Sequence, residues 1–388
     1  MSRLNEALKT LSNLIRIPSV QGTPEPGAPF GKQTLAALDL TLSAAEKLGF
    51  KSFSGDGYYG YAEVGEADKP LFGILGHLDV VPVGDGWKYP PFGGEIREGY
   101  LWGRGALDDK GPVIAAMYAL RELLDEGLKP AARIRFIFGL NEESGWKCIE
   151  KYLEREEVPA TGFSPDGNFP VIYCEKAVSH VGLSLPKPDG IVSFEAGSRV
   201  NIVPDRARAV ISEKFSAVAP PVPEGIERTG NAFTAYGVSA HGSTPEAGDN
   251  AALKLMKYLS GFMPEVKKLY EMLRCPDGSG MGLKRSEPDY GDLSVNTGVV
   301  SAKADCATAE LALDFRHPAC VTTAKILETL EKLTGGKAEA CGMHPPLLIP
   351  KEHPLVVKLS EAYREVTGED AAPVSIGGAT FARALPAA

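Results

Sequence analysis

The stretch Phe72-Gly-Ile-Leu-Gly-His-Leu-Asp-Val-Val-Pro82 contains an apolar run that ends in a histidine and an aspartate two positions apart. The run from Leu71 to Leu75 predicts a buried β-strand. Because side chains at positions i and i+2 of a strand lie on the same face, we expect His77 and Asp79 to emerge together where the strand leaves the core. An imidazole beside a carboxylate suits a metal ligand and its orienting partner, although a packed, hydrogen-bonded core histidine gives the same pattern.

The length and composition of the chain indicate a globular protein of two domains. Its 388 residues are more than one compact core usually holds. Hydrophobic residues make up 44% and charged residues 23% of the chain, an ordinary balance for a globular protein. The net charge of −9 argues against a polyanionic partner, so nucleic acid is not an expected ligand. The absence of a GxGxxG or Walker loop in the sequence argues against a nucleotide-binding protein.

Cysteine usage and the first twenty residues predict a cytoplasmic location. The six cysteines, at positions 148, 174, 275, 306, 320 and 341, are widely scattered and form no CxxC motif, which is typical of a reducing compartment. From Met1 to Val20, leucine and isoleucine recur at helical spacing with charged residues between them. This pattern predicts an amphipathic helix rather than a signal peptide or a membrane span, so no membrane partner is expected.

Two adjacent aspartates, Asp108 and Asp109, precede a helix predicted over residues 112–124. Pro112 lies in the first turn of this helix, where proline is tolerated. The simplest interpretation makes one aspartate an N-cap and the other a charge that complements the helix dipole. The alternative is that one of them is a metal ligand.

Two adjacent glutamates, Glu142 and Glu143, follow a strand predicted over residues 133–138. Adjacent side chains at the end of a strand point in different directions, so one carboxylate can face a metal while its neighbour faces a water molecule. A solvated turn is the alternative. Asp166 lies in a predicted tight turn, where its alternative role is that of an Asx-turn residue.

The alternation of predicted strands and helices over residues 35–175 indicates an α/β fold with a mostly parallel sheet flanked by helices. Ligands of such sheets collect at the carboxyl ends of the strands. Five candidate residues fall after a predicted strand or before a predicted helix: His77, Asp108, Glu142, Glu143 and Asp166. Oxygen-rich ligation with few imidazoles suits a pair of hydrolytic divalent cations better than a closed structural zinc site.

Four motifs, taken in order, are similar to those of a known enzyme family. They read Gly-His-Leu-Asp-Val-Val-Pro, Gly-Arg-Gly-Ala-Leu-Asp-Asp-Lys-Gly-Pro, Asn-Glu-Glu-Ser-Gly and Ser-Pro-Asp-Gly-Asn-Phe-Pro. Together they resemble the dinuclear metallopeptidases that include carboxypeptidase G, aminoacylase and the PepV-type dipeptidases. The Lys-Gly-Pro and Pro-Asp-Gly-Asn-Phe-Pro segments most resemble the dipeptidase branch.

The resemblance implies four metal ligands. His77 and Asp166 resemble ligands of one cation. Glu143 resembles a ligand of the second cation, and Asp108 resembles the carboxylate that bridges the two. The resemblance also implies a cis peptide bond between Asp108 and Asp109.

Two further residues resemble the catalytic machinery of the family. Asp79 resembles the partner that fixes the tautomer and orientation of His77. Glu142 resembles the general base, which takes a proton from a water acidified by the two cations and delivers it to the leaving amine. This role requires a pKa closer to neutrality than that of a free glutamate.

The resemblance also implies a catalytic domain that is interrupted by an α+β lid domain. The expected ranges are 1–176 for the first part of the catalytic domain, 177–343 for the lid and 344–388 for the C-terminal part of the catalytic domain. In PepV-like proteins an enlarged lid is expected to replace the second subunit of dimeric relatives. A monomer is therefore favoured, and a dimer is the alternative.

One residue of the expected lid resembles a catalytic group of the family, and two resemble substrate-binding groups. His241 resembles the residue that stabilises the oxyanion of the tetrahedral intermediate, whereas its pattern alone indicates a loop histidine before a helix. Asn201 and Arg316 resemble binders of a substrate carboxylate, which a guanidinium can contact through two hydrogen bonds. For Arg316, an ion pair with Asp314 is the alternative.

The segment 373–383 resembles the glycine-rich loop of the family, whose backbone approaches the substrate. The resemblance therefore implies substrate contacts at Gly377 and Gly378, with Arg383 assisting.

Members of the family continue beyond this glycine-rich loop to a further metal-binding histidine, whereas the sequence ends at Ala388. The resemblance thus implies either a chain that is truncated relative to the natural protein, which is the favoured interpretation, or a metal site that has degraded. It also implies a second cation that keeps Asp108 and Glu143 but lacks its usual imidazole.

The function expected from the resemblance is the metal-dependent hydrolysis of dipeptides with a free C-terminal carboxylate. The expected cofactors are two divalent cations, Zn2+ in the first place and Mn2+ as the alternative. A deacylase or amidase acting on N-acyl amino acids is a second hypothesis within the same family. A truncated form that serves only as a binding scaffold is a third.

Overall fold

The structure is a computed structural model that describes residues 3–385. It divides into two compact units: unit 1 holds the residues up to Asn168 and those from Thr380 onward, and unit 2 holds Phe169–Ala379. The expected lid boundaries, 177 and 343, both lie inside unit 2, and the assignment of 169–176 and 344–379 to the catalytic domain stays a prediction. Met1 and Ser2 of the predicted first helix and the last three residues of the expected C-terminal part lie outside the described residues.

Unit 1 consists of helices around a five-stranded sheet, with a separate small hairpin. Its helices are α1 (Arg3–Ile15), α2 (Lys32–Lys47), α3 (Lys110–Asp125) and α4 (Lys147–Arg155). Its strands are β1 (Lys51–Gly55), β2 (Tyr59–Val64), β3 (Leu71–His77), β4 (Glu95–Arg97), β5 (Tyr100–Trp102), β6 (Arg133–Gly139) and β7 (Thr161–Phe163). Strands β4 and β5 form the separate hairpin.

The strand order in the five-stranded sheet is β1-β2-β6-β3-β7. Strand β3 pairs in parallel with β6 on one side and with β7 on the other. The pairs β1–β2 and β2–β6 are antiparallel. The predicted α/β class is confirmed, and the sheet is mixed, because the short link between β1 and β2 makes a hairpin at its edge. The carboxyl ends of β6, β3 and β7 therefore lie at one edge of the sheet, where ligands collect in α/β proteins.

The core of unit 1 lies between this sheet and the helices. Its buried side chains come from α2, α3, β3 and β6, including Leu38, Met117, Leu75 and Phe138. Helix α3 begins at Lys110, two residues earlier than the sequence predicted. Pro112 remains in the first turn, where a missing N–H costs no intrahelical hydrogen bond.

Unit 2 has an α+β composition. Its strands are β8 (Ile172–Glu175), β9 (Ala177–Pro186), β10 (Ile191–Ala196), β11 (Arg206–Ile211), β12 (Ile226–Thr229), β13 (Ala232–Tyr236), β14 (Ser286–Glu287), β15 (Gly291–Asp292), β16 (Ser294–Ala302), β17 (Thr308–His317), β18 (Lys337–His344), β19 (Leu347–Leu348) and β20 (Val374–Ile376). Its helices are α5 (Glu213–Ser216), α6 (Ala251–Ser260), α7 (Pro264–Leu273), α8 (Thr323–Thr334) and α9 (Pro354–Thr367).

Eight strands of unit 2 form one antiparallel sheet in the order β12-β13-β11-β10-β16-β17-β9-β18. Helices α6, α7 and α8 contribute buried apolar side chains to the core on this sheet, among them Leu255, Val266 and Ile326. A second sheet has the order β19-β8-β20. Within the described residues, no helix is both long and apolar enough to cross a membrane.

Candidate functional site

The end of β3 places His77 inside unit 1, with its side chain only 1% exposed. The ring atom Nδ1 lies 3.0 Å from the backbone carbonyl oxygen of Asp79. A carbonyl oxygen can only accept, so Nδ1 is the donor in this hydrogen bond. The second ring nitrogen, Nε2, consequently faces two carboxylates, Asp108 Oδ1 at 3.0 Å and Asp166 Oδ2 at 3.5 Å.

The carboxylate of Asp79 connects the end of β3 with the turn that follows β6. Its Oδ1 accepts the backbone N–H of Glu142 at 3.0 Å, and its Oδ2 accepts that of Glu143 at 3.1 Å. The same carboxylate is 3.5 Å from His77 Nδ1. The hydrogen bond that orients the imidazole is therefore made by the Asp79 carbonyl, and the side chain of Asp79 fixes the backbone of the two glutamates.

The peptide bond between Asp108 and Asp109 is cis, which confirms the expectation from the resemblance. Asp109 occupies the N-cap position of α3, but its side chain makes no capping hydrogen bond to the described residues of the helix. Instead its buried Oδ2 accepts the backbone N–H of His77 at 3.1 Å. This approach requires a glycine at position 76, because a Cβ there would lie 2.4 Å from the same oxygen.

Asp166 reaches the site because β7 lies beside β3. The turn after β7 is held by Ser164, whose hydroxyl donates to the carbonyl of Leu75 at 2.8 Å and accepts the Asp166 N–H at 3.4 Å. The Asp166 carboxylate is thereby held next to His77 Nε2.

Two groups of side chains among the described residues could each hold a metal ion, and both include His77. One group is His77, Asp108 and Glu143, and the other is His77, Asp109 and Asp166. Within each group the candidate ligand atoms all lie within 4.8 Å of one another. Sequence reasoning missed Asp109 because its position before a helix favours a cap, and only Gly76 indicated that another group comes close to the strand there.

The electrostatics of the site reflect several carboxylates around one imidazole, with Asp79 and Asp109 buried and Asp108 largely exposed. Burial raises the pKa of Glu142 to about 8 and that of Glu143 to about 7. Burial also raises the pKa of Asp109 well above its usual range. Burial alone would lower the pKa of His77, but hydrogen bonds to the surrounding carboxylates, with that of Asp108 the largest, raise it well above its ordinary value. The raised pKa values mean that, without a cation, protons on these carboxyl groups and on His77 reduce the negative charge of the site.

The ring of Phe381 packs against the ring of His77. It lies edge-on to the His77 ring, with a centroid separation of 6.4 Å, and to the ring of Trp146 at 5.6 Å. Phe381 is buried in a 3-10 helix that spans Phe381–Ala384. Gly139 leaves room for it, since a Cβ there would lie 2.3 Å from the Phe381 ring.

In unit 2, His241 lies in an exposed loop. The backbone N–H of Ser243 donates to His241 Nδ1 at 3.2 Å, so in the neutral ring Nε2 carries the proton. Partial desolvation of the ring, together with the charge of Arg316, lowers the pKa of His241 and favours this neutral form. Asn201 lies on the neighbouring segment, where its carbonyl accepts the N–H of Gly242 at 2.8 Å.

Arg316 is buried, and three of the five N–H groups of its guanidinium donate hydrogen bonds within unit 2. Nε and Nη2 donate to Asp314 Oδ1 at 2.8 Å and Oδ2 at 2.9 Å, while Nη1 donates to the carbonyl of Gly377 at 3.0 Å. The alternative raised from the sequence, an ion pair with Asp314, is therefore present. Gly377 also approaches the loop of His241, because a Cβ on it would lie 3.0 Å from Ser243 Cβ.

Gly378 and Arg383 follow in the same segment of the chain. Gly378 is half-buried, as Gly377 is. Arg383 is buried in unit 1, and its backbone N–H donates to the Thr380 carbonyl at 3.4 Å.

The structure brings the candidate residues together in two groups, one in each unit. The group in unit 1 contains His77, Asp79, Asp108, Glu142, Glu143 and Asp166, with Asp109 added. The group in unit 2 contains His241, Asn201, Arg316 and Gly377. The roles of these residues stay predictions.

Comparison with known proteins identifies the family of the chain. Residues 73–387 match the model of "Peptidase family M20/M25/M40". The chain is 34% identical over 410 residues to the "Putative dipeptidase YtjP" of Bacillus subtilis, a match that covers 98% of this chain and 88% of the relative. It is 33% identical over 414 residues to the "Putative dipeptidase SAR1836" of Staphylococcus aureus, with the same coverage.

Solved structures share the fold at low sequence identity. The Saccharomyces cerevisiae dipeptidase Dug1p matches with a TM-score of 0.58 and 14% identity, covering 97% of this chain and 85% of that one. The Sulfolobus solfataricus M20 family metallo-carboxypeptidase Sso-CP2 matches with a TM-score of 0.56 and 20% identity, covering 96% and 86%. From the family match and the curated relatives, the chain belongs to peptidase family M20/M25/M40 and is a hydrolase.

Proposed function

We propose that this protein is a metal-dependent dipeptidase, which hydrolyses the amide bond of dipeptides with a free C-terminal carboxylate. One observation carries the proposal: the imidazole of His77 lies among the carboxylates of two candidate metal-binding groups, and Glu142 is held beside them by Asp79. The names of the curated relatives point to the same activity.

The donor set in unit 1 fits divalent cations. The carboxylates outnumber the positive groups near them, and the pKa values of Glu142, Glu143 and Asp109 are raised as a result of burial. Within residues 3–385, the buried Oδ1 of Asp109 has no hydrogen-bond partner. An acceptor that is buried without a donor is costly, and a cation would satisfy it.

The proposal assigns ligand roles to four residues, and the structure adds a fifth candidate. His77 and Asp166 would hold one cation, Glu143 the other, and Asp108 both, with Asp109 available beside His77. When bound at these ligands, divalent cations acidify a water molecule and polarise a carbonyl group. One imidazole among several carboxylates suits Zn2+ or Mn2+.

Glu142 is proposed to act as the general base and then as the general acid. Its carboxylate accepts a proton from the attacking water and later delivers it to the nitrogen of the leaving amine. The hydrogen bond from its own backbone N–H to Asp79 Oδ1 fixes the start of the side chain. In the absence of a cation, burial raises the pKa of Glu142 to about 8, closer to neutrality than that of a free glutamate, as a group that both accepts and returns a proton requires.

Substrate recognition is assigned to the group in unit 2, as the resemblance implies. The Nε2 proton of His241 is suited to stabilise an oxyanion, because Nδ1 already accepts the Ser243 N–H. Arg316 and Asn201 are assigned to the substrate carboxylate, with the guanidinium held in place by Asp314. Gly377, Gly378 and Arg383 are assigned to the loop that borders the substrate.

The location and oligomeric state belong to the same proposal. Among the described residues no cysteine forms a disulfide, and Cys306, Cys320 and Cys341 are exposed, which supports a reducing compartment such as the cytoplasm. We propose a monomer as the active form.

The experiment that tests the proposal is a hydrolysis screen with purified protein in Mn2+ or Zn2+. Dipeptides with a free carboxylate, the same dipeptides as amides, and N-acyl amino acids are compared for the wild type and Glu142→Gln. The exposed Glu150 on α4 supplies a matched control, Glu150→Gln. We expect dipeptide hydrolysis that is lost in Glu142→Gln and kept in Glu150→Gln. Preference for N-acyl amino acids, or cation binding without hydrolysis that depends on Glu142, would overturn the proposal.

A further inference from the structure

A lysine next to the metal-ligand candidates is buried without a carboxylate partner. The side chain of Lys110 is 0% exposed, and across the described residues no carboxylate lies within ion-pair distance of its ammonium group. Lysine is almost never fully buried unless its charge is paired. The ammonium instead donates to two backbone carbonyls, those of Leu14 at 3.0 Å and Ile17 at 2.9 Å.

These two carbonyls belong to residues 14–20, which we call the anchor segment and of which Leu14, Ile15 and Ser19 are buried. At its other end, the hydroxyl of Ser19 donates to the carbonyl of Leu78 at 2.6 Å. The carbonyl of Ser19 accepts the N–H of Val80 at 3.1 Å. Leu78 and Val80 flank Asp79, so the anchor segment holds the chain on both sides of this aspartate.

The local sequence makes room for Lys110 at this position. Gly105 has a φ of +87°, and a Cβ on it would lie 2.9 Å from Lys110 Cδ and 3.1 Å from Val80 Cγ1. The aliphatic part of Lys110 therefore runs between the loop of Gly105 and the exit of β3. Lys110 is also the first residue of α3, directly after Asp109.

We propose that Lys110 is a positioning residue that sets the cation affinity of the site through the anchor segment. Lys110 holds the turn of Asp108 and Asp109 to one end of this segment, and Ser19 holds the exit of β3 to the other. The distance between the carboxylates of the turn and the imidazole of His77 is thereby fixed. This inference rests on the proposed function, because it assumes that these side chains bind cations.

A lysine performs this task better than an apolar residue of similar length. Its ammonium satisfies two buried carbonyls at once, whereas a methionine would leave both without a donor. The loosened anchor segment would then allow the turn and the strand exit to move apart. Outer groups that orient metal ligands typically contribute about 10- to 100-fold to metal affinity.

The test measures cation affinity in the full chain after removal of metal with a chelator. Mn2+ binding is followed by calorimetry and Zn2+ binding by competition with a chromophoric chelator, for the wild type, Lys110→Met and Ser19→Ala. We expect Kd to rise about 10- to 100-fold in Lys110→Met and by a smaller factor in Ser19→Ala. Both residues act through the anchor segment. The loss of cation affinity in the double variant is therefore expected to be smaller than the combined losses of the two single variants.

Thr41→Val is the matched control for simple loss of stability. The Thr41 hydroxyl is buried in α2 and donates to the Ala37 carbonyl at 2.8 Å, away from the site. We expect this variant to lower Tm without changing Kd. An equal loss of affinity in the control would overturn the positioning role.

The outcomes separate this inference from the proposed function. If the wild type binds no cation, both fall. If the wild type binds and the folded Lys110→Met variant binds with unchanged Kd, only the positioning role falls. If Lys110→Met does not fold, Ser19→Ala decides: weaker binding supports the role, and unchanged binding overturns it.

Discussion

The side chain of Asp79 holds the backbone of Glu142, because Asp79 Oδ1 accepts the Glu142 N–H at 3.0 Å. The second oxygen of the same carboxylate accepts the N–H of Glu143 at 3.1 Å. A single side chain at the exit of one strand thus fixes both glutamates at the exit of the neighbouring strand. This arrangement requires two acceptor oxygens, which only a carboxylate of this length supplies there.

Replacing Asp79 by asparagine tests this arrangement. The amide NH2 would face a backbone N–H, so one of the two hydrogen bonds would be lost and two donors would oppose each other. We expect kcat/KM for dipeptides to fall at least about tenfold and cation affinity to fall about 10- to 100-fold. Steady-state kinetics and calorimetry measure both, with the exposed Asp39→Asn as control. Retention of wild-type affinity and activity would show that the two hydrogen bonds are unimportant.

The contact between Gly139 and Phe381 gives a second prediction. A Cβ at position 139 would lie 2.3 Å from the Phe381 ring, which supports His77. We expect Gly139→Ala to lower the free energy of unfolding by about 1–3 kcal/mol through overpacking and also to weaken cation binding. Chemical denaturation and calorimetry provide the two measurements.

A compensating variant checks the cause of that loss. If the collision with the ring is responsible, Phe381→Leu in the Gly139→Ala background should cost less than Phe381→Leu alone. Strictly additive losses of the free energy of unfolding would contradict the proposed contact.

Much of the candidate site in unit 1 follows from local patterns in the sequence. The end of an apolar strand predicted the emergence of His77 and Asp79, and the parallel arrangement predicted that other strand ends lie nearby. These inferences succeed because strand periodicity and parallel topology determine where side chains emerge. The contribution of Asp109 was missed, since an aspartate before a helix usually caps it, and only the close approach at Gly76 redirects its carboxylate to His77.

Long-range tertiary contacts were harder to predict. No local pattern indicated that Lys110 contacts the carbonyls of Leu14 and Ile17, almost one hundred positions away. The mixed character of the sheet in unit 1 also escaped prediction, because the pairing of β2 with β6 depends on the tertiary fold. Local sequence propensity indicates where single helices and strands form, whereas the pairing of one strand with another depends on the packing of the whole unit.

The pKa values of the two glutamates predict a pH dependence of stability in the metal-free protein. Burial raises the pKa of Glu142 to about 8, well above the ordinary value of a glutamate. A group with a raised folded-state pKa stabilises the fold below its unfolded pKa and loses this contribution as the pH rises through the folded pKa. The metal-free wild type should therefore lose the contribution of Glu142 between about pH 4.5 and pH 8.

Glu142→Gln isolates this contribution, because glutamine resembles the protonated glutamate and does not titrate. Other groups also change the stability with pH, such as Lys110, whose pKa is lowered by burial to about 7. Their contributions are the same in the wild type and in Glu142→Gln, so they cancel when the two proteins are compared. In the presence of a chelator we expect equal Tm values near pH 4.5 and a higher Tm for Glu142→Gln at pH 8. Thermal denaturation across this range provides the measurement, and parallel curves for the two proteins would contradict the raised pKa.

The guanidinium of Arg316 provides the last prediction. It makes two hydrogen bonds to Asp314 and one to the carbonyl of Gly377, an arrangement that the ammonium of lysine cannot reproduce. If Arg316 also binds the substrate carboxylate, Arg316→Lys should raise KM for dipeptides about tenfold or more, with a smaller effect on kcat. Dipeptide amides, which lack the carboxylate, should show little difference between the wild type and the variant.

The control for this substitution is Arg208→Lys, which changes an exposed arginine on strand β11 of the same sheet. It should leave both kinetic constants unchanged. An equal loss of kcat/KM for the free dipeptide and for its amide in Arg316→Lys would show that Arg316 acts only by supporting Gly377. Asp314 already occupies the Nε edge of the guanidinium. That outcome would therefore mean that another group of unit 2 binds the substrate carboxylate, and Asn201 would be the next residue to substitute.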